Sequence, residues 1–228
     1  TAWTSQDPEY EDSLRRFIRG AMEDDSFMAM TKALVERIKQ AGWINSLSGT
    51  ALKLTAPGVP DIYQGSELWN LSLVDPDNRR PVDFDLRDRL LDELDTLKPA
   101  EIMARMEEGL PKLFLTREIL RLRAREPEAF GEEAAYRALE VSGDDAEYCF
   151  ALLRGERIAV LVQRFPLSRT GEWGGTSLEL PEGTWTNVLT GVAVQGGAAA
   201  VSRLLGDVPV AVLRRDTSVK RETEKDDG

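Results

Sequence analysis

Apolar positions in the first half of the chain recur with the helical period. One stripe has its members at i, i+3, i+4 and i+8: Leu14, Phe17, Ile18 and Met22. Asp7 and Pro8 precede this stripe. The Asp7 carboxylate can cap the start of a helix, and the fixed backbone φ angle of Pro8 is compatible with the first helical turn. A second helix is predicted to end at Gly42. The predicted helices after the first cover 26–41, 43–54, 86–97, 100–108 and 115–126.

The period changes to two from about Ala134 onward. Leu178 and Leu180 alternate with polar residues, and short apolar runs are separated by Gly-containing turn signals that include 182–183 and 196–197. This pattern predicts a small antiparallel β-sandwich. The predicted strands include 148–153, 158–162 and 208–212. The predicted organisation is a helical part over 1–130, a β-sandwich over 131–216 and a charged, disordered tail over 217–228.

One strand is predicted between the helices, at 59–65, where an apolar, aromatic and β-branched run lies between Pro and Gly. A long polar segment, 66–84, follows it without a clear period, and loops of that length are often functional. A single strand would leave its backbone groups unpaired. The helical half is therefore predicted to be a piece of a larger α/β body.

Net charge and hydropathy limit the classes of partner that we expect the chain to bind. The chain has 228 residues, with 29 basic and 40 acidic side chains and a net charge of −11, so a nucleic acid would be repelled on average. No run approaches the ~18 apolar residues that span a bilayer, and the first residues do not resemble a secretion signal. We expect a cytoplasmic protein with neither a nucleic-acid nor a membrane partner.

Two compositional features limit the chemistry. Histidine is absent, which excludes Ser-His-Asp hydrolases, Cys-His proteases and HExxH zinc enzymes from this chain. Cys149 is the single cysteine and lies in an apolar run, so it is predicted to be buried filler and can form neither an intrachain disulfide nor a cysteine-based zinc site. The remaining chemistry would use carboxylates, hydroxyls, Lys, Arg or an oxygen-bound cation.

Residues 54–84 carry a family resemblance. The run at 54–67, LTAPGVPDIYQGSE, resembles the eighth barrel strand of the α-amylase superfamily of glycoside hydrolases. The run at 68–84, LWNLSLVDPDNRRPVDF, resembles a narrower family, the maltooligosyl trehalose synthases, and residues 3–5 resemble the segment after that family's seventh strand. The resemblance implies a C-terminal fragment of a (β/α)8 barrel, comprising mostly helices and the eighth strand, followed by the antiparallel β-sandwich.

The family resemblance also implies a reaction and a missing part. The family converts the reducing-end α-1,4 linkage of a maltooligosaccharide into an α,α-1,1 linkage by intramolecular transglycosylation. Its reactive carboxylates lie near strands four, five and seven, which would precede residue 1. The implied partners are a maltooligosaccharide or α-glucan substrate and the missing N-terminal barrel portion. We therefore predict no catalytic residue, metal or cofactor in this chain.

The segment from the eighth strand to position 79 supplies the candidate substrate-binding residues. Asp75 and Arg79 are predicted to pair across a turn started by Pro76, directing donors and acceptors towards sugar hydroxyls or merely fastening the loop. The active face of a barrel lies at the carboxyl ends of its strands, where this loop would emerge. The full candidate set is Tyr63, Gln64, Glu67, Trp69, Asp75, Asp77, Asn78 and Arg79.

Several alternatives stay open at this point. Tyr63 could stack on a sugar ring or fill the barrel, Glu67 could contact substrate or accept hydrogen bonds from loop amides, and Trp69 is expected to be more open than the core residue Trp43. The acids at 75–77 could instead form a catalytic pair or bind Ca²⁺, although the spacing is not that of an EF-hand. The rival functions are another α-amylase-superfamily hydrolase and a non-catalytic carbohydrate-binding or assembly module.

Overall fold

The structure is a computed structural model that describes residues 1–2, 4–74, 79–169 and 171–216. It divides into two compact units, Thr1–Gly42 and a second that begins at Trp43. The predicted tail at 217–228 lies outside the described residues. Within the described ranges, no helix combines the length and apolar character needed to cross a bilayer.

The first unit contains α1 (Pro8–Glu23) and the beginning of α2 (Asp25–Thr55). Asp7 accepts a hydrogen bond from the Tyr10 amide at 3.1 Å, so the predicted cap of α1 is confirmed. Asp24 accepts one from the Phe27 amide at 2.7 Å. This bond, together with one from the Ser26 hydroxyl, lowers the pKa of Asp24.

The predicted break at Gly42 is wrong, because α2 continues through it without interruption to Thr55. A glycine inside a helix costs only about 1 kcal/mol relative to alanine, since the i to i−4 hydrogen bonds continue across it. The two predicted helices on either side of Gly42 are therefore one. Its second half is buried at Leu47, Ala51 and Leu54.

In the described residues between α2 and the sheet, the further α-helices are α3 (Phe84–Glu93), α4 (Pro99–Ala104), α5 (Leu110–Arg125) and α6 (Pro127–Phe130). A 3-10 turn at Met106–Glu108 replaces the end of the predicted helix 100–108. Arg123 of α5 donates to the Leu54 carbonyl at 2.8 Å, which satisfies a free carbonyl group at the end of α2. The sequence pattern did not predict α6.

The strand predicted at 59–65 is wrong for this chain. These residues follow α2 without pairing to any strand of the described structure, and Val59 is 97% exposed. The physical reason is that a β-strand needs a neighbour to satisfy its backbone groups, and none of the described residues forms a strand beside this segment. The segment instead leads into a series of turns that starts at Gln64.

Among the described residues, the C-terminal part forms one curled antiparallel sheet of seven strands, and the predicted β-sandwich is not confirmed. Along the main path the order is β1-β3-β4-β7-β5-β2, and β6 pairs with β5. A short helix, α7 (Val201–Leu205), joins β6 to β7. The strands are β1 (Tyr136–Ala138), β2 (Val141–Ser142), β3 (Cys149–Arg154), β4 (Ile158–Gln163), β5 (Ser177–Asn187), β6 (Ala193–Ala200) and β7 (Val210–Arg215).

Both faces of the central strands are buried, in two separate cores. Leu152, Val160 and Val212 lie opposite one another across β3, β4 and β7 and belong to the core that includes α2 and α5. The next residues along, including Leu161 and Ala211, belong to a second core enclosed by the curled sheet and α7. A strand between two cores has the same two-sided apolar pattern as a sandwich interior, which is why the sequence suggested a sandwich.

Two predicted turn signals lie inside strands instead. The pairing register of β5 with β6 shifts between Leu180 and Thr184, which places 182–183 at a β-bulge. Gly196 of β6 faces this bulge, and a Cβ atom there would lie 2.3 Å from the Pro181 carbonyl oxygen. Gly196 therefore permits a close backbone approach between the paired strands.

Cys149 is buried, as predicted. Burial raises the pKa of its thiol to about 11. The group is therefore protonated at neutral pH and is a poor nucleophile.

Candidate functional site

The candidate loop that follows α2 is held by one arginine of α3. Arg87 Nε donates to Glu67 Oε1 at 2.9 Å, and its two Nη groups donate to the carbonyls of Gly65 at 2.8 Å and Asp83 at 2.9 Å. The Arg87 side chain is 13% exposed and that of Glu67 is 21% exposed. Three acceptors from both ends of the loop therefore converge on one planar guanidinium group.

Local sequence places Arg87 at this point. Asp83 caps α3 by accepting from the Leu86 amide at 2.9 Å, which starts the helix and presents Arg87 in its first turn. Gly65 has a φ of +87°, and a Cβ atom there would lie 3.2 Å from Val82 Cγ2. A glycine is favoured because the loop turns here in the left-handed region beside the other end of the same loop.

A second anchor holds the loop at Trp69. Its indole Nε1 donates to the Met106 carbonyl at 2.5 Å, and its ring stacks on Trp43 with centroids 6.2 Å apart and planes 13° from parallel. Gly109 has a φ of +79°, and a Cβ atom on it would lie 3.0 Å from the Trp69 amide nitrogen. Trp43 packs against the core as expected. Trp69 is half-buried like Trp43, packs against the same core and is hydrogen-bonded through its indole.

Lys112 supports the same part of the loop. Its ammonium donates to the Leu68 carbonyl at 3.1 Å and lies 5.8 Å from the centre of a Trp69 ring. Burial lowers the pKa of Lys112, and the nearby charge of Lys53 lowers it further. The lysine therefore places a partly desolvated cation beneath the indole.

Two cavities flank this anchored loop. The larger, about 490 Å³, lies between the loop residues Tyr63, Gln64 and Glu67 and the helix α5. The smaller, about 210 Å³, is lined by polar loop residues together with Gln64 and Trp69. Gln64 borders both. The loop therefore separates two concave surfaces, and its residues line each of them.

The structure brings four of the eight predicted substrate-binding residues together: Tyr63, Gln64, Glu67 and Trp69. Tyr63 is 51% exposed, which leaves a ring face available to a ligand. Glu67 bonds to Arg87, which is neither the loop-amide contact nor the substrate contact that the sequence suggested. Asp75, Asp77 and Asn78 lie outside the described residues, as do the catalytic-pair and Ca²⁺ alternatives. Arg79 is described and exposed, and its pairing with Asp75 stays a prediction.

Three cationic residues of this site were missed from the sequence: Arg87, Lys112 and Arg117. Arg117 lines the larger cavity, is 12% exposed and bonds to Asp95 at 2.8 Å. Only Arg87 had a sequence signal, because its position four residues after Asp83 allows its bond to the Asp83 carbonyl. The other two depend on contacts over 22 and 44 positions, which spacing does not reveal.

The arrangement places hydrogen-bonding groups in the lining of two cavities, and the wall of the larger one also contains Leu91, Leu113 and Leu120. Exposed aromatic and amide groups border the cavities, and a buried cation fixes the loop that carries them. The carboxylates among the described residues that line the two cavities are Glu67 and Asp83. The first is paired with Arg87 and the second caps α3, so both are occupied in holding the loop.

Solved maltooligosyl trehalose synthases have a similar fold over most of this chain, and they define the class of protein that the chain matches. The maltooligosyltrehalose synthase of Arthrobacter ramosus has a TM-score of 0.83 and 38% identity over 95% of this chain and 28% of that chain. A further solved maltooligosyl trehalose synthase has a TM-score of 0.74 and 28% identity, again over 95% of this chain and 28% of its own.

A sequence comparison finds the same class. A provisionally named maltooligosyl trehalose synthase of Mycobacterium tuberculosis is 37% identical over 220 residues, which are 96% of this chain and 26% of that protein. No protein-family model matches the chain. The chain thus corresponds, in sequence and structure, to the C-terminal part of a maltooligosyl trehalose synthase and spans about a quarter of that enzyme's length.

Proposed function

We propose that this chain is the C-terminal part of a maltooligosyl trehalose synthase-like enzyme that acts by intramolecular transglycosylation on maltooligosaccharides. The observation that carries the proposal is the match over 96% of the chain at 37% identity, joined to a structural match with a TM-score of 0.83. In the parent enzyme, residues 1–130 would complete the (β/α)8 barrel with a helical subdomain, and 131–216 would form the C-terminal β domain. The setting would be cytoplasmic.

The reaction would divide between two parts of the parent enzyme. A carboxylate outside this chain would attack the anomeric carbon of the penultimate glucose unit, and an acid there would protonate the departing terminal glucose. That glucose would then attack the same carbon through its own anomeric hydroxyl. The carboxylate would leave, and the proton would return to the acid. Atoms balance without a water molecule, so the product is an isomer of the substrate.

The candidate loop would hold the released glucose during this exchange. Hydrolysis competes whenever water reaches the glycosyl-enzyme first, so the ratio of isomer to hydrolysis product measures how well the sugar is held. Tyr63 and Gln64, which border the larger cavity, would contact the sugar or a neighbouring unit. Arg87 and Glu67 would keep the loop in shape without touching the sugar.

The test uses a chimera in which this chain replaces the matching C-terminal quarter of the mycobacterial relative. We expect the chimera to convert maltohexaose into a non-reducing product with the α,α-1,1 linkage, measured by chromatography and by loss of reducing ends. The intact relative and its truncated first three quarters are the controls. Glucose and shorter maltooligosaccharides as the only products would indicate a hydrolase. Sugar binding without turnover would indicate a non-catalytic module.

Arg79→Ala in the same chimera tests the loop directly. We expect the ratio of released glucose to non-reducing product to rise severalfold, because a donor predicted to orient the sugar is removed. The matched control is Arg89→Ala, which removes an exposed arginine of α3, outside the candidate loop. Equal product ratios for the two variants would contradict a positioning role for Arg79.

A further inference from the structure

The turn after β4 carries an aromatic ring on a strained backbone. Phe165 has a φ of +51°, in the left-handed region that bulky residues rarely adopt, and it is 54% exposed. Because much of the side chain stays in solvent, burial in the folded chain offsets little of this strain. Strained residues concentrate at active sites and ligand-binding positions. Phe165 is therefore a candidate ligand contact outside the loop that the proposed function uses.

Hydrogen bonds hold the backbone that carries this ring. The Gln163 carbonyl accepts from the Ser48 hydroxyl of α2, and the amide of the next residue donates to the Tyr148 carbonyl, both at 2.8 Å. The Phe165 carbonyl accepts from the amides three and four positions further on, at 3.0 and 3.3 Å. The turn is thus fixed before a ligand binds, which reduces the conformational entropy that binding would cost.

The far end of the same segment is anchored in the second core. Trp173 packs against that core, and the guanidinium carbon of Arg169 lies 3.6 Å from the centre of its ring. The Arg169 side chain is 9% exposed, and its Nε lies 3.7 Å from Asp145 Oδ2. The Trp173 ring is therefore engaged in packing, and Phe165 is the exposed aromatic residue of the segment 164–173.

A planar donor lies beside the Phe165 ring. The guanidinium carbon of Arg164 lies over the ring, 4.2 Å from its centre, and Arg164 is exposed. A pyranose sugar has an apolar face of C–H groups and a rim of hydroxyl groups. An aromatic ring matches the apolar face, and a guanidinium group beside it can donate to the hydroxyl oxygens. The pair therefore has the two chemical features that a sugar ring requires.

Size and charge favour a sugar over a macromolecular partner at this turn. In the described part of the segment 164–173, the exposed large hydrophobic residues are Phe165 and Leu167. Two side chains provide far less area than the roughly 800 Å² that each partner buries in a stable protein interface. A nucleic acid would be repelled on average by the net charge of −11, whereas a neutral sugar would not.

We propose that Phe165 and Arg164 form a second contact for an α-glucan, on the turn after β4 and outside the candidate loop. The identity of the sugar rests on the proposed function, in which the substrate is a maltooligosaccharide. One glucose unit would stack on Phe165, and Arg164 would donate to its hydroxyl groups. Because a glucan is a linear polymer, a unit bound here would keep the rest of the same molecule at a high local concentration.

The experiment measures binding of maltoheptaose to the 228-residue chain by calorimetry. We expect Phe165→Asn to weaken binding at least about tenfold, because the stacking ring is removed. The urea midpoint of this variant should equal or exceed that of wild type, since asparagine tolerates the left-handed backbone better than phenylalanine does. Phe165→Tyr should bind within about twofold of wild type, because the aromatic ring remains.

The matched control is Tyr136→Asn, which makes the same kind of change at another exposed aromatic residue of the sheet. Tyr136 lies in β1 and is 47% exposed. We expect its variant to bind maltoheptaose within about twofold of wild type, because it lies outside the proposed contact. The comparison separates the loss of one particular ring from a general loss of exposed aromatic surface.

Absence of maltoheptaose binding by the wild-type chain would overturn the glucan contact, as would equal affinities for wild type and Phe165→Asn. A lower urea midpoint for Phe165→Asn would do the same, because it would give the ring a structural role. So would a dimer in sedimentation velocity that Phe165→Asn dissociates, because the occupant would then be a second copy of the chain.

The proposed function and the glucan contact fail in different ways. A chimera that yields no α,α-1,1 product, while the 228-residue chain binds maltoheptaose through Phe165, would reject the function and retain the contact. An active chimera whose C-terminal chain does not bind maltoheptaose through Phe165 would reject the contact and retain the function.

Discussion

Gly155→Ala is expected to destabilise the chain by about 3 kcal/mol, the sum of about 1 kcal/mol for a left-handed alanine and about 2 kcal/mol for overpacking. Gly155 lies in the turn between β3 and β4 with a φ of +54°. A Cβ atom there would lie 2.6 Å from the Ala129 Cα atom of α6. The close neighbour is backbone, so a side-chain rotation cannot relieve the contact. The measurement is urea unfolding of the 228-residue chain.

Gly174→Ala is the matched control for that substitution. Its φ is +49°, nearly that of Gly155, but no atom lies within 4 Å of the added methyl group. We expect it to cost only the conformational part, about 1 kcal/mol. Adding Ala129→Gly to Gly155→Ala should recover less than half of the loss, since the Cα atom of residue 129 remains. Equal losses for the two alanine variants would show that α6 yields freely at this point.

The contact between α6 and the β3–β4 turn at Gly155 lies across the boundary that the sequence predicts near residue 130. The helices and the sheet of the second unit are therefore packed together at this boundary. The core that begins with Leu47 of α2 continues through α5 into β4 and β7. Ser48 of α2 donates to the Gln163 carbonyl at the end of β4 at 2.8 Å. Helices and sheet of the second unit therefore share one hydrophobic core. The change in the period of apolar positions from 3.6 to two residues marks the change from helix to strand. It does not mark a boundary of the hydrophobic core.

Local signals predicted the elements of the fold better than their assembly. The cap at Asp7 and the alternation in β7 each depend on a few neighbouring residues, and both helix and strand formed there. The strand at 59–65 failed because strand formation depends on a partner that a sequence window does not contain. The sandwich is not confirmed for a related reason, since a strand covered on both faces has the same apolar pattern whether helices or another sheet cover it.

The position of the candidate loop along the chain could be predicted from the sequence, whereas most of its side-chain contacts could not. Family resemblance and the Pro- and Gly-rich segment after α2 both indicated the loop that contains Tyr63 and Gln64. The two anchors, Arg87 and Trp69, could not be assigned from spacing alone, because Trp69 bonds to a carbonyl 37 positions away and Arg87 to a carboxylate 20 positions away. A charged residue in an amphipathic helix is ordinarily solvated, and only the folded chain shows that Arg87 is mostly buried.

Removal of that buried arginine should have the second large effect. Arg87→Ala is expected to cost about 3 kcal/mol in urea unfolding, because it leaves the Glu67 carboxylate mostly buried without its cation and removes the donor from two carbonyls. Arg87→Lys should recover only part of this loss, since one ammonium cannot match the fork that bonds Glu67, Gly65 and Asp83. In the chimera, both variants should raise glucose release relative to the non-reducing product, because the loop loses its fixed shape.

Arg15→Ala is the control, since it removes an arginine of α1 that pairs with Asp12 while its side chain is 65% exposed. An exposed pair of this kind contributes at most about 0.5 kcal/mol. Adding Glu67→Gln to Arg87→Ala should restore about 1 kcal/mol, because the uncompensated charge disappears while the lost hydrogen bonds do not return. If the double variant were as unstable as Arg87→Ala, the loss would come from the two backbone carbonyls, and the anchor would act through hydrogen bonds to Gly65 and Asp83 rather than through the ion pair.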